Sequence, residues 1–249
     1  MKFVCCLMLA LSAPLSAEVK EEQVAYAGAS FRVVKLEPKQ VQLVWKDDKG
    51  EPYRTFDKVQ AAFAKQGKTV KFLMNGGIFE PGGIPSGLYH EGSKDQGRPL
   101  NTAAGEGNFF LKPNGIFGIV RRKGDTFIEG GMVAKTDFFT DKTKASPNFE
   151  YAVQSGPLLL DQGQRHPAFK EGSPNKKHRN GVGIDAEGRV VFAMTAKGQV
   201  VNFWDFAGLF LKLGCKNALF LDGDISQMAV NPDKPVASNP FGSIFVVAE

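Results

Sequence analysis

Residues 202–228, NFWDFAGLFLKLGCKNALFLDGDISQM, contain a helix pattern followed directly by a strand pattern. Asn202 can cap the helix, Asp205 occupies its third position near the positive end of the dipole, and Gly214 can end it. The apolar run 217–221 has the length and composition of a buried strand. A helix and a strand joined this closely pack on one sheet, which predicts an α+β architecture with a mixed sheet.

Strand patterns outnumber helix patterns along the rest of the chain. Residues 31–37 and 41–46 alternate apolar and polar side chains on either side of Pro38, which predicts a hairpin. Residues 56–67 place their apolar side chains on one helix face, and residues 69–75 are typical of a buried strand. Further strands are predicted in a meander over residues 107–129, in two hairpins over residues 151–164 and 181–195, and over residues 243–248.

The composition is that of a chain able to form one folded unit. Of its 249 residues, 43% are hydrophobic and 21 are Phe, which is enough to bury a sizeable core. Its 28 Gly and 14 Pro favour many turns and short strands over a helical bundle. We therefore expect a single α+β domain over residues 18–249, with a mixed, largely antiparallel β-sheet core and a few packed helices.

Residues 1–17, MKFVCCLMLALSAPLSA, have the layout of a secretory signal peptide. One lysine precedes an apolar run that is too short to span a bilayer, and small residues precede the expected cleavage after Ala17. Cys5 and Cys6 would leave with this segment, so the mature chain would keep only Cys215 and no internal disulfide. These features predict a periplasmic or secreted protein with no membrane span after cleavage.

The charge of the chain is mildly basic. The formal net charge of +5 falls to +4 without the signal peptide, because Lys2 is the only charged residue there. This excess is spread along the chain and forms no single basic patch, which is compatible with anionic ligands. It also predicts that nucleic acid is not a partner.

Two carboxylates, one glycine apart, end the apolar strand at residues 217–221. Removing a carboxylate from water is costly unless a partner meets it, so Asp222 and Asp224 mark either a solvated turn or a site. If Gly223 turns the chain, both side chains enter one pocket. One pKa would then rise, and that group would supply a general acid or base.

The segment Asn75-Gly76-Gly77 follows another buried strand pattern. Glycines here let backbone amides approach a ligand closely, with no side chain in the way. An ordinary surface loop is the equally weighted alternative. The GxxxxGK[ST] pattern of a phosphate-binding P-loop is absent from the sequence.

Arg179 ends a run of four basic residues, 176–179, directly before a strand pattern. Such runs are typical of solvated turns. Arg179 differs from its neighbours because it adjoins Asn180 and the apolar alternation, so its guanidinium can reach inward. There it would bind two phosphate oxygens at once.

Gln154 and Ser155 lie between an incoming strand and Gly156-Pro157. A serine before Gly-Pro is more often a turn residue than a nucleophile. The nucleophile-elbow motif GxSxG is also absent, so catalysis by a serine triad is not expected.

Asp222, Asp224 and Ser226 alternate like the first ligands of a calcium loop. Gln227 stands where an EF-hand needs glycine, and Asp233 stands where it usually has glutamate. An EF-hand is therefore not expected. The residues predict a site that requires no cofactor. The alternative is a site that binds a divalent metal such as calcium without the regular geometry of an EF-hand.

Four of these segments, NGGIF (75–79), QSGPLL (154–159), RNGVGI (179–184) and NALFLDGDIS (217–226), occur in an order and spacing that resemble the phosphodiester glycosidase family. The resemblance covers about residues 70–247 and is greatest to the family's short bacterial secreted branch. It implies hydrolysis of a sugar 1-phosphodiester, so a glycan or small-molecule phosphodiester is the expected partner.

In that chemistry Arg179 would hold the phosphate, and Asp222 with Asp224 would supply carboxylates at the anomeric centre. Two other classes of function stay open: a non-catalytic glycan- or phosphoglycan-binding protein, and an envelope module that docks on an anionic polymer. The residues expected to contact the sugar or the phosphate are Asn75, Gly76, Gly77, Gln154, Ser155, Asn180 and Ser226.

Overall fold

The computed structural model describes residues 18–92, 97–122, 124, 127–141, 143 and 147–249. The signal peptide expected over residues 1–17 lies outside this part of the chain. The described strands are β1 Glu21–Tyr26, β2 Ala29–Leu36, β3 Gln42–Val44, β4 Val70–Asn75, β5 Phe79–Glu80, β6 Ile84–Pro85, β7 Tyr89–Glu91, β8 Gly115–Arg121, β9 Ile128–Lys135, β10 Phe149–Ser155, β11 Leu158–Asp161, β12 Gln164–Arg165, β13 Asn180–Ile184, β14 Val190–Thr195, β15 Asn217–Asp222, β16 Met228–Val230 and β17 Ile244–Ala248. The helices are α1 Phe56–Lys65, α2 Thr136–Thr140 and α3 Phe203–Lys212, with 3₁₀ turns at Pro38–Gln40 and Asn108–Phe110.

The strands form one large sheet and three smaller ones. The seven-stranded sheet has the order β1-β2-β14-β13-β15-β11-β12, and the two four-stranded sheets have the orders β7-β10-β8-β9 and β16-β4-β17-β3. The β5–β6 hairpin stands apart from them. Antiparallel sheets together with a few helices confirm the predicted α+β single-domain class. All pairings between the described strands are antiparallel, so the sheets that these strands form are not mixed as predicted.

The main core lies between the large sheet and the two four-stranded sheets. β15 is apolar over residues 218–221 because both of its faces are buried. Leu219 and Leu221 enter the main core, whereas Ala218 and Phe220 point to the other face, where α3 covers the sheet. Burying a Leu or Phe completely contributes roughly 1.5–3 kcal/mol, so both faces of β15 hold it in place.

Helix α3 forms as the sequence predicts. The side-chain oxygen of Asn202 accepts a hydrogen bond from the backbone N–H of Asp205 at 2.8 Å, which satisfies one free donor of the first turn. Gly214 follows the last turn with a φ of +84°, a conformation that favours glycine. Cys215 packs beneath α3 as a small apolar residue, and burial raises the pKa of its thiol to about 12.

Two predicted strand pairings are wrong. β2 and β3 lie in different sheets, because the turn at Pro38–Gln40 redirects the chain instead of closing a hairpin. β10 and β11 also lie in different sheets, and β11 pairs with β12 instead.

In the predicted meander, β8 and β9 pair as expected, but the first strand is instead the 3₁₀ turn Asn108–Phe110. The second break of that meander includes residues 123 and 125, which lie outside the described part. The predicted hairpin of β13 and β14, helix α1 and the strands β4, β15 and β17 are confirmed. Within the described residues, none of the helices has the length and apolar character needed to cross a membrane.

Candidate functional site

The ends of β4, β13 and β15 bring Asn75, Asn180 and Asp222 into one hydrogen-bonded group. The Asn75 side-chain oxygen accepts from Asn180 Nδ2 at 3.1 Å and from the backbone N–H of Gln227 at 2.9 Å. The Asn75 amide nitrogen donates to Asp222 Oδ2 at 3.4 Å. Asn180 Oδ1 accepts from the Asp222 N–H at 2.7 Å. These bonds fix both asparagine amides and hold the Asp222 backbone and carboxylate in one orientation.

Asp222 lines a cavity of about 420 Å³, and Arg179, Asp224 and Lys177 line the same cavity. Its other walls come from the β5–β6 hairpin and from the segment around the Asn108–Phe110 turn. The residues that line the cavity are Ile78, Glu80, Ser86, Glu106, Gly107, Asn108, Phe109, Phe110, Lys177, Arg179, Phe220, Asp222, Gly223 and Asp224.

Burial raises the pKa of the Asp222 carboxyl to about 6, from an ordinary value of 3.8. The Gly223 N–H, which donates to Asp222 Oδ1 at 2.7 Å, and the amide of Asn75 oppose this rise, and Asp224 adds to it. The rise expected for one of the two carboxylates therefore falls on Asp222. Near neutral pH this group can both accept and return a proton.

Arg179 is a buried cation, with only 2% of its surface exposed. Its Nε donates to Val201 O at 2.8 Å and its Nη2 donates to Asn175 O at 3.2 Å. The guanidinium carbon lies 3.6 Å from the centre of the Phe203 ring. Within the described residues no carboxylate forms an ion pair with Arg179. Burial lowers its pKa to about 10.

Asp224 is placed differently from Asp222. Its side chain is 62% exposed and lies 3.3 Å from Lys177 Nζ. Ion pairs this exposed contribute about 0–1 kcal/mol. Both aspartates line the same cavity, but Asp224 forms its outer part.

Gly76 and Gly77 do not line the cavity. The Gly76 N–H donates to Ser243 O at 2.8 Å. A Cβ on Gly76 would lie 2.3 Å from Ser243 Oγ, and one on Gly77 would lie 3.0 Å from Gln154 O. The structure thus places both glycines where neighbouring chain segments pack closely, and their expected role as ligand-facing amides stays a prediction.

We expect Gly76→Ala to destabilise the fold by about 1–3 kcal/mol, because the new methyl group forces the 243 segment away from the end of β4. Urea unfolding followed by circular dichroism measures the change. Gly130→Ala is the matched control, since a Cβ there meets nothing within 4 Å. Equal midpoints for the two variants would contradict the close packing at Gly76.

Gln154 and Ser155 also lie outside the cavity lining. The Gln154 side chain accepts from the N–H groups of Leu88 and Asn101 at 3.0 and 2.9 Å, and it donates to Asn101 O at 2.6 Å. Ser155 Oγ donates to Leu221 O at 2.9 Å and accepts from the Ile78 N–H at 3.2 Å. Both side chains therefore tie the cavity-forming loops to the sheets. Their predicted contact with ligand finds no support in these contacts.

Ser226 is buried, and its hydroxyl has no hydrogen-bond partner within the described structure. It does not line the cavity. No group of three or more His, Cys, Asp or Glu side chains in the described ranges is arranged to hold a metal ion. Asp222 and Asp224 therefore do not form such a group there, and a calcium requirement stays a prediction.

Sequence reasoning did not select several residues that line the cavity, among them Glu80, Glu106 and Asn108. They lie on loops whose path depends on contacts with distant strands, so no local pattern identifies them. Lys177 belongs to the basic run, and the only signal that could have found it was its closeness in sequence to Arg179.

A family model described as phosphodiester glycosidase matches residues 68–248. The chain belongs to the phosphodiester glycosidase family. This confirms the resemblance seen in the four sequence segments, all of which lie inside the matched range.

This phosphodiester glycosidase-family chain is also 37% identical over 196 residues to the uncharacterized protein YigE of Escherichia coli strain K12, covering 78% of this chain and 71% of YigE. Among solved structures, it resembles the catalytic domain of zebrafish N-acetylglucosamine-1-phosphodiester alpha-N-acetylglucosaminidase, auto-inhibited by its pro-peptide. The identity is 15% and the TM-score 0.62, over 96% of this chain and 85% of that one. A hypothetical protein from Synechocystis gives 15% identity and a TM-score of 0.53, over 91% of this chain and 61% of that one. At this identity the two structures show a shared fold.

Proposed function

We propose that the protein is a hydrolase that cleaves glycosyl 1-phosphodiesters between the anomeric carbon and the phosphate oxygen. The observation that carries this proposal is the cavity shared by Arg179, a buried cation without a carboxylate partner among the described residues, and Asp222, a carboxyl whose pKa lies near 6. Membership of the phosphodiester glycosidase family supports the same reaction class.

Arg179 binds the phosphate in this proposal. Its guanidinium already faces the cavity with its Nε and Nη2 positions fixed by carbonyls and its plane packed on Phe203. A singly charged phosphodiester would supply the anionic partner that the described protein groups do not. Because the guanidinium is buried, that interaction is stronger than the same pair in water.

Asp222 is the proposed general base. It takes a proton from water, the water oxygen forms a bond to the anomeric carbon, and the bond from that carbon to the phosphate oxygen breaks. The phosphomonoester leaves with the bonding electron pair, and Arg179 neutralises part of its charge. A phosphomonoester is a good leaving group, so a single carboxylate and a cation suffice.

The remaining polar groups have supporting roles. Asn75 and Asn180 hold the Asp222 carboxylate and main chain, as their hydrogen bonds show. We assign Asp224 to the outer cavity, where it pairs with Lys177 and contacts the sugar or its substituents.

The reaction as proposed needs no bound cofactor. Activity that is lost on dialysis against EDTA and regained with calcium would instead establish a metal requirement. We further propose that the protein acts in the periplasm or outside the cell, with residues 1–17 as its signal peptide. N-terminal sequencing of the mature chain tests the expected cleavage after Ala17.

The decisive experiment incubates the purified protein with a panel of sugar 1-phosphodiesters that differ in the sugar, starting with N-acetylglucosamine 1-phosphate methyl ester. Release of free sugar is measured in ¹⁸O-labelled water. We expect the label in the sugar and not in the phosphate, since the carbon–oxygen bond breaks. Label in the phosphate would refute the proposed bond cleavage. Saturable binding without turnover across the panel would favour the non-catalytic glycan-binding protein.

A further inference from the structure

His178 links the turn that carries Asp222 to a buried strand. Its Nε2 lies 3.0 Å from Ser226 O, at the end of the turn formed by residues 222–226. Its Nδ1 lies 2.6 Å from Thr195 Oγ, and Thr195 is fully buried at the end of β14. The imidazole therefore spans the space between the large sheet and the turn.

The direction of these hydrogen bonds follows from the donors present. The Arg179 N–H donates to Thr195 Oγ at 3.1 Å, so that oxygen accepts there. The one hydroxyl hydrogen of Thr195 then goes to His178 Nδ1 at 2.6 Å, since its other acceptor, Arg179 O, lies at 3.5 Å. Nδ1 is thus the acceptor, and the neutral ring carries its proton on Nε2. That proton is donated to Ser226 O.

The two ends of the turn also have other supports. Asn180 and Asn75 bind Asp222, and the N–H of Gln227, which follows the turn, donates to Asn75 Oδ1 at 2.9 Å.

The middle of the turn is held less firmly. Asp224 is exposed and pairs weakly with Lys177, and the side chain of Ile225 is also among the exposed apolar groups. Asn239 donates to Ile225 O at 3.1 Å, but it is itself exposed. Among the described residues, His178 is the side chain that binds the carbonyl of Ser226 itself and connects it to the buried end of β14.

We propose that His178 is a positioning residue that holds the 222–226 turn and so helps Asn75 and Asn180 to fix the carboxylate of Asp222 relative to Arg179, which directly precedes β13. This inference rests on the proposed function for the catalytic roles of Asp222 and Arg179. The hydrogen bonds of His178 do not depend on that function. Misplacing a catalytic group by about 1 Å can cost on the order of 100-fold in rate. His178 does not line the cavity, so it acts through the turn and does not touch substrate.

The kinetic test compares His178→Ala with His178→Gln. The alanine variant loses the donor to Ser226 O, and we expect kcat to fall by about 30-fold with KM changed less than about 3-fold, because Arg179 still binds the phosphate. Glutamine carries an N–H donor near the Nε2 position and should restore kcat to within about 5-fold of wild type. His90→Ala and His90→Gln are matched controls on β7, outside the site.

A purely structural role predicts a different pattern. In that case His178→Ala would lower the midpoint of unfolding and the active fraction, while kcat per folded molecule stayed at the wild-type value. Glutamine would then give no specific rescue of kcat. Either result overturns the proposal.

The ring tautomer provides a test that needs no turnover. Nitrogen-15 NMR of the His178 imidazole at pH 8 should show a protonated Nε2 and an unprotonated Nδ1, and Thr195→Val should weaken this preference, because only the bond to Ser226 O then remains. The opposite tautomer in the wild-type protein would refute the hydrogen-bond chain. A protein that shows the expected tautomer but hydrolyses no phosphodiester would refute the proposed function alone.

Discussion

Arg179→Ala is expected to lower kcat/KM for a glycosyl 1-phosphodiester by about 10²–10³-fold, the loss typical of removing one charge-stabilising group from an active site. The phosphate would lose the buried cation of the cavity. Lys177, the other cation in the lining, is exposed and already faces Asp224, so it cannot replace the guanidinium. Steady-state hydrolysis assays measure the effect, and circular dichroism confirms that the variant is folded.

Two further variants separate charge from geometry. Arg179→Lys keeps the charge but loses the planar fork and the stacking on Phe203, so we expect only partial activity. Added guanidinium should rescue the alanine variant, because it can enter the space left by the side chain. Arg189→Ala is the matched control, since Arg189 pairs with Asp185 in a separate ion pair. Full activity in Arg179→Ala would exclude Arg179 as the phosphate-binding group.

The buried position of Arg179 also affects stability. Its removal takes one donor from Val201 O, which still accepts from the Lys177 N–H at 3.1 Å, and one from the exposed Asn175, and a hydrogen bond from a charged donor contributes about 1.5–3 kcal/mol. It also removes a desolvated cation, whose burial is unfavourable. These two effects oppose each other, so the loss of activity should greatly exceed any loss of folded protein.

The local structure of the chain was largely predictable because it depends on neighbouring residues. The cap at Asn202, the glycine that follows α3 and the apolar length of β15 are all decided within a few positions. Strand pairing is not decided in this way. The alternation of β2 identifies its two faces but not its partners, which are β1 on one side and β14, about 160 residues away, on the other.

The candidate site shows the same division between local and distant information. Asp222 and Arg179 could be selected from sequence because a charged residue at the end of an apolar strand must be explained by a partner, a ligand or exposure. Gln154 was selected by the same logic, but its partners are backbone groups of residues 88 and 101. Nothing in the sequence around Gln154 distinguishes a loop support from a ligand contact. The distinction depends on where the loops that contain residues 88 and 101 pass in the folded chain.

Asp222→Asn is expected to reduce activity and to increase stability. The amide cannot accept a proton from water, so kcat/KM should fall by about 10²–10³-fold. In the wild-type protein kcat/KM should rise with pH and level off above an inflection near the Asp222 pKa of about 6, because the ionised carboxylate is the active form. The residual activity of Asp222→Asn should lack that inflection. A wild-type profile that is flat between pH 5 and pH 8 would exclude Asp222 as the base.

The stability effect has the opposite sign because the folded protein holds the Asp222 proton more tightly than the unfolded chain does. Its pKa rises from 3.8 to about 6 on folding, so the carboxyl costs no stability below about pH 4. The cost grows as pH rises through 6 and then stays constant. Since asparagine cannot ionise, the variant should exceed the wild-type free energy of unfolding by about 1–2 kcal/mol at pH 7.5, after some loss of the Asn75 contact.

At pH 4 the gain in stability of Asp222→Asn should disappear, which distinguishes ionisation from a change in packing. Urea unfolding at the two pH values measures it. Asp224→Asn is the control for stability alone: its carboxylate is 62% exposed, so its free energy of unfolding should change by less than about 0.5 kcal/mol at either pH. If Asp222→Asn is no more stable than wild type at pH 7.5, burial of the ionised carboxylate does not destabilise the folded protein. The site would then lack the raised pKa on which the proposed base depends.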